Sequence, residues 1–275
     1  RRGGKNFRMK RFKGLAIPYA IWLLFLFFVP LFVRFVLSFR TANGMDFSSA
    51  VGSLENYIRL NDLSIYKAVL NSLLVALETV AFCFLFGYPT AYFISFSKRK
   101  HKMLFLLLLI LPRWSNSRLR FVSWLRLFST DAFKALNLLG TNQAVVLVSV
   151  TTFLPFRIFP IYTVLEKLDR SLIEASRDLG VNPVKTFFKV TLPLSRKGVY
   201  SGILRVFLPS ATEFAISQTV GQGKVRLIGN LIQSVFEKNN FGFGSLLSIL
   251  LSIIIILRIF LFDKLGKTSE VKRHA

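Results

Sequence analysis

The apolar runs of this chain decide what it can become. Six stretches, at about 15–37, 66–96, 103–127, 143–165, 199–220 and 243–262, are hydrophobic for long enough to cross a hydrocarbon layer, which takes about 20 residues of α-helix. Backbone amides and carbonyls find no water in that layer, so an isolated run of this kind is helical. The expectation is an all-α membrane protein with six transmembrane helices in a single domain over 1–275. Charge is correspondingly scarce, at 18% of residues against roughly 25% in soluble domains. Pro89 is expected to kink the second run, and Pro112 to break the third and leave it irregular.

A formal net charge of +24 would ordinarily point to nucleic acid. Here the basic residues cluster beside the apolar runs, where they meet lipid headgroups and set topology. The N-terminus "RRGGKNFRMKRFKG" carries seven basic residues and no acidic one, "SKRKHK" at 97–102 carries four, and 166–198 carries seven against four acidic. The tail past Phe262 is also basic, whereas 40–65 and 129–142 hold few Lys or Arg. The positive-inside rule then sets both termini, 97–102 and 166–198 on the cytoplasmic side. The first run, Leu15 to Val33, is longer than the apolar core of a signal peptide and is read as a retained span. No nucleic-acid partner is expected.

Several chemistries are excluded by what is missing. Cys83 is the single cysteine and there are two histidines, too few for a disulfide or a structural metal site. The stretch "GQGK" at 221–224 lacks the spacing of a phosphate-binding loop and reads as a turn. No zinc-protease, nucleophile-elbow or Cys-x-x-Cys pattern occurs. The chain has no catalytic residues of its own and cannot hydrolyse ATP alone.

One segment interrupts the apolar pattern with ordered chemistry: "LDRSLIEASRDLGVNPVKTFFKVTLPLSRKG", in the cytoplasmic stretch 166–198. Ser171 and Glu174 have capping-box spacing. Gly180 suits the left-handed end of a helix. Asn182 with Pro183 suits the start of another, and Pro193 stops or bends the chain beyond it. Two short helices about a glycine turn are expected. Leu172, Ala175, Ser176 and Leu179 would share one face with a small-residue centre, open to close approach by another surface.

These residues resemble a known pattern. Glu174-Ala175-Ser176, three residues, Gly180, nine residues, Val190, then Leu192-Pro193 is similar to the EAA loop of ATP-binding-cassette importer permeases, with five of seven positions identical. Ser176 and Val190 depart mildly, standing for Ala and Ile. "SLENY" (53–57), "LPRWSNSRLRFVSWL" (111–125), "FLPSATEF" (207–214) and "LIGNLIQSVF" (227–236) are similar to the spermidine/putrescine branch of that family. Related branches carry iron, sulfate, molybdate or phosphonate-type solutes.

The resemblance implies a type I importer-like permease in a bacterial cytoplasmic membrane. Glu174, Ala175, Ser176, Asp178, Gly180, Leu192 and Pro193 would form the coupling site for a cytoplasmic ATPase subunit, which alone would bind ATP and magnesium. It also implies a second, related permease chain and an extracytoplasmic binding protein. For a polycationic cargo, Glu213 with Trp114 and Trp124 is the expected substrate path, through carboxylate and cation–π contact. Arg113, Arg118, Arg126 and Arg205 depart from the family and are expected to reach headgroups or, as a sharper alternative, to line an anion path. A channel or ion-coupled transporter is the competing class. The scarcity of Asp, Glu and His within the runs disfavours it.

Overall fold

The computed structural model describes residues 3–41, 51–52 and 54–271. Helix α1 (Gly3–Ser38) leads into β1 (Arg40–Thr41), antiparallel to β2 (Val51–Gly52) with Arg40 opposite Gly52. Helix α2 (Glu55–Ile58) and a 3-10 turn (Arg59–Asn61) precede α3 (Leu63–Phe96), α4 (Arg99–Trp114), α5 (Ser117–Phe128), α6 (Asp131–Lys134) and α7 (Asn142–Glu166). Next come short pieces: α8 (Ser171–Asp178), α9 (Pro183–Thr186), a π turn (Phe187–Thr191) and α10 (Leu192–Leu194). The chain ends with α11 (Arg196–Thr212), α12 (Phe214–Val220), α13 (Ile228–Glu237) and α14 (Phe241–Val271).

Among the described residues, three helices are long and apolar enough to cross a membrane: α1 over Ile21–Ser38, α3 and α7. The apolar part of α14, Phe241–Leu257, is shorter. The third and fifth apolar runs are each two helices rather than one. Past Pro112 the chain is not irregular as expected. It stays helical to Trp114, breaks at Ser115 and Asn116, and resumes as α5. Side chains satisfy the break: Asn116 Oδ1 accepts from Arg118 N at 2.9 Å, while Ser115 Oγ (2.7 Å) and Arg120 Nη1 (2.8 Å) donate to the Pro112 carbonyl. In contrast, α3 runs unbroken through Pro89.

The chain divides into two compact units, Arg1–Asp62 with Ile232–Ile254, and Leu63–Leu231 with Ile255–Ala275. In the first, α1 exposes apolar side chains on every side from Tyr19 to Val36, as a helix solvated by hydrocarbon does. Its end is tied down by the "SLENY" residues. Buried Asn56 donates to the carbonyls of Ser38 and Arg40, both at 3.1 Å, and the Tyr57 ring lies 5.2 Å from Phe39. Gly242 fits because any side chain there would strike Arg40 O and Asn56.

In the second unit, α3, α7 and α11 form the packed centre. Small residues let these helices approach closely, as apolar burial alone cannot drive helix association in lipid. Arg157 of α7 is 1% exposed and wedged between two glycines: a Cβ on Gly87 would lie 3.1 Å from its Cγ, and one on Gly202 2.8 Å from its Cδ. Its Nη1 donates to Val199 O at 3.0 Å and its Cζ lies 5.0 Å over the Phe84 ring. Its Nε has no hydrogen-bond partner among the described residues. Cys83, fully buried, points its Sγ toward Val150 O at 3.8 Å.

At Gly198, a Cβ would lie 2.7 Å from the Pro160 carbonyl oxygen and 3.0 Å from Ile161 Cα, both backbone atoms that cannot step aside. Gly198→Ala is therefore expected to cost about 1–3 kcal/mol by overpacking. The check is a lowered unfolding temperature in detergent; an unchanged temperature would contradict this close approach of α7 and α11.

Candidate functional site

The segment between α7 and α11 folds as two braced short helices. Helix α8 ends in a Schellman motif: Gly180 N–H donates to Arg177 O (2.8 Å) and Val181 N–H to Ser176 O (3.2 Å), with Gly180 at φ +71°. Asn182 then opens α9, its Oδ1 accepting from Val184 N at 3.0 Å with Pro183 in the first turn. Ser176 makes a contact that alanine could not, a 3.0 Å hydroxyl bond to buried Thr186.

The start of α8 differs from the expected capping box. Ser171 and Glu174 do not exchange bonds; Asp169 Oδ1 accepts from Ser171 N at 3.0 Å, and Glu174 N donates to Arg170 O. A carboxylate just upstream is the stronger, charge-assisted acceptor. Arg170 is meanwhile drawn to α3, with Nη2 3.3 Å from Ser95 O and Cζ 5.1 Å over Phe96.

Ile173 is the buried side of α8. The opposite side is open: Leu172 and Ala175 are exposed, and Leu179 is 82% exposed. Val184 and Phe188 extend this apolar surface, with Glu174, Arg177 and Asp178 exposed around it. Leu192 and Pro193 are half-buried at its base. Exposed apolar side chains on a rigid, capped scaffold, rimmed by charges of both signs, make a surface suited to a protein partner.

Contacts that the sequence reading missed hold the base of this segment to α3. Tyr88 and Ser195, both buried, are hydrogen-bonded at 2.6 Å although 107 residues apart. The Tyr88 ring meets Phe187 edge-on at 5.2 Å, and Tyr92 lies 6.5 Å from the same ring. Lys102 and Glu166 form an ion pair at 2.7 Å between α4 and the end of α7. The available signal was the Tyr88/Tyr92 spacing of four in "GYPTAY", which sets two phenols on one helix face.

The second group of predicted residues is only partly gathered. Glu213 lies at the break between α11 and α12, half-buried, where its Oε1 accepts from Ala215 N at 3.3 Å and caps α12. The break is supported from α13: Asn230 Nδ2 donates to Phe214 O (3.2 Å), Asn230 Oδ1 bonds Ser217 Oγ, and Gly229 fits against Thr212 O. Glu213 Oε2 makes no hydrogen bond among the described residues. Trp124 packs on Phe128 (5.4 Å) in α5, the helix against which α12 rests. It also lines a cleft of about 340 Å³ with Ser115, Leu119, Arg120, Ser123 and Leu127. Trp114 stands apart at the end of α4, 78% exposed, with no hydrogen bond or ring contact among the described residues.

Arg118, Arg126 and Arg205 are exposed, and the Arg113 side chain lies outside the described residues. Among the described residues no cluster of three or more His, Cys, Asp or Glu could hold a metal. "GQGK" is the turn expected, with Gln222 and Gly223 at φ +48° and +73°.

The fold is a bundle of apolar helices, two of its runs broken, with a capped and exposed segment between α7 and α11. The structure of a bacterial alginate transporter bound to its periplasmic protein shares that fold, with a TM-score of 0.71, 14% identity and 98% of each chain covered. An inward-facing methionine transporter, MetNI, matches with a TM-score of 0.60 at 18% identity, covering 74% of this chain and 95% of that one. The chain belongs to the family of binding-protein-dependent transport system inner membrane components, matched over residues 13–270. It is 36% identical to the spermidine/putrescine transport system permease protein PotB of Haemophilus influenzae, over 91% of this chain and 92% of that one. PotB of Escherichia coli K12 is 34% identical, covering 91% and 96%, and a Mycoplasma genitalium homolog 26%, covering 86% and 83%. The chain is thus an integral membrane transport component.

If the caps hold α8 and α9 in place, Gly180→Ala should loosen them through backbone strain alone, since a Cβ there meets nothing within 4 Å. Asn182→Ala removes a bonded cap. Each is expected to cost about 1 kcal/mol locally, seen as faster tryptic cleavage at Arg177 and Lys185 in the purified protein. Cleavage at the parent rate would show the segment is held some other way.

Proposed function

We propose that this chain is a permease subunit of an ATP-driven polyamine importer, with six spans and both termini in the cytoplasm of a bacterial cell. One observation carries the reading. An exposed apolar face with a small centre, on a doubly capped segment, occurs in a chain one-third identical, over nine-tenths of its length, to spermidine/putrescine permeases. Leu172, Ala175 and Leu179 would seat in a groove of a cytoplasmic ATPase subunit, with Glu174, Arg177 and Asp178 at the rim. ATP and magnesium belong to that subunit; this chain contributes no cofactor site. A second, related permease completes the path, since broken spans in hydrocarbon need protein or a water-filled cavity against them, and a binding protein delivers cargo from outside. Closure of two ATPases would then rock the spans between inward- and outward-open states. The whole chain acts as one permease domain in this reading.

The test is isolation of the native membrane complex. An ATPase subunit should co-purify with the parent chain. Glu174→Lys and Gly180→Pro, at equal membrane content, should abolish spermidine uptake. Normal uptake in both variants, or a chain that transports with no ATPase, would sink the assignment.

Glu213 is proposed as a substrate contact, because its Oε2 is left over after Oε1 caps α12. Gln keeps a capping oxygen and loses the charge. Glu213→Gln is expected to weaken apparent spermidine affinity roughly ten- to a hundredfold, the worth of one charged hydrogen bond. An unchanged half-saturation, measured by uptake per inserted protein, would remove Glu213 from the path.

A further inference from the structure

We propose that Tyr88 is a positioning residue for transport: its hydrogen bond to Ser195 passes the movement of the coupling segment into α3, at the turn that Pro89 deprives of a hydrogen bond. The inference rests on the reading of α8 as the ATPase-docking helix.

The donor order is set by the geometry. Ser195 Oγ donates its one proton to Leu192 O at 3.1 Å. The 2.6 Å contact with Tyr88 must then be donated by the phenol. A directed chain therefore runs from Tyr88 O–H through Ser195 Oγ to the Leu192 carbonyl, at the base of the exposed segment. Both side chains are buried, with Tyr88 2% and Ser195 0% exposed, so water cannot substitute for either partner. Around the bond, Phe187 stands edge-on to Tyr88, and Arg170 holds the far end of the segment to Ser95 O and Phe96. The last part of α3, from Tyr88 to Phe96, is gripped by the segment at both ends.

Within this grip, α3 is weak. Pro89 has no N–H, so the carbonyl of Leu85 loses its helical donor one residue from Tyr88. One residue before Tyr88, α3 is clamped differently. Gly87 and Gly202 close on Arg157, which bonds α11 through Val199 O. Tyr88 thus stands inside the weakened turn, next to the clamp on Arg157, while Ala91 and Ile94 beyond Pro89 pack against α7. A load on the segment enters α3 at Tyr88, beside that clamp and in the turn where the helix lacks a hydrogen bond. Packed interfaces switch between discrete arrangements rather than stretch, so this turn is the place for the motion to go. A tyrosine that only filled space would not need its hydroxyl.

The experiment uses the full complex, with spin labels on α3 at Lys67 and just past it at Ser97, one on each side of Pro89. The distance between them is measured without nucleotide and with ATP plus vanadate, alongside ATP hydrolysis. In the parent the distance should change on trapping. Tyr88→Phe and Ser195→Ala should each lose most of that change while the ATPase remains bound and hydrolyses ATP at the parent rate. Ser195→Thr, which keeps the hydroxyl, should restore it, and the double variant should be no worse than either single one. An unchanged response in Tyr88→Phe and Ser195→Ala, or no response in the parent, overturns the inference while leaving the docking reading intact. So does a lost response in which ATPase binding is lost too, since that marks a structural role. Failure of the docking reading shows separately, as an ATPase that binds equally well to Glu174→Lys.

Discussion

Everything in this fold answers to one constraint: a backbone amide or carbonyl inside hydrocarbon must find a partner within the protein. Seven prolines lie inside α1, α3, α4, α7 and α11, and each removes a helical donor. Two of the six apolar runs go further and break. The structure meets the demand with side chains placed at the breaks. Asn116, Ser115 and Arg120 dress the gap between α4 and α5; Glu213, Asn230 and Ser217 dress the gap between α11 and α12. Polar residues that a composition-based reading treats as transport machinery are in part backbone partners. An unmet group in this environment costs several kcal/mol, so these roles precede any contact with cargo.

A related limit governs the packing of α3, α7 and α11. Hydrophobicity gives no preference for helix against lipid, so close approach must hold the helices together. Glycines 87, 198 and 202 supply it. The result is a bundle that carries the segment between α7 and α11 both on directional bonds such as Tyr88–Ser195 and on apolar contact through Phe187 and Leu192.

Much of this was legible locally. The turn at Gly180, the cap at Asn182 and the helical runs are set by residues within a few positions of one another. Ser171 and Glu174 misled because a third acceptor, Asp169, competed for the same turn of helix. The interruption at Glu213 was not legible, since it is secured by Gly229 and Asn230 in another helix. Arg157 escaped notice in "FLPFRIFPIY" because its tolerance depends on Gly87 and Gly202, which no window of sequence around it contains. Tyr88 and Ser195 are 107 residues apart. Local chemistry sets caps and periods, whereas partners across the fold set which polar residues can be buried.

Arg157 carries a further consequence, for what can share the interior of the bundle with it. A guanidinium that stays protonated, sunk among α3, α7 and α11 with no carboxylate paired to it among the described residues, is a fixed positive field source in a medium that screens poorly. At an effective dielectric near 20, two like unit charges 4 Å apart repel by about 4 kcal/mol. A second positive charge beside it would be costly, and the groups that touch Arg157 are neutral: the Phe84 ring, the Val199 carbonyl and the two glycines.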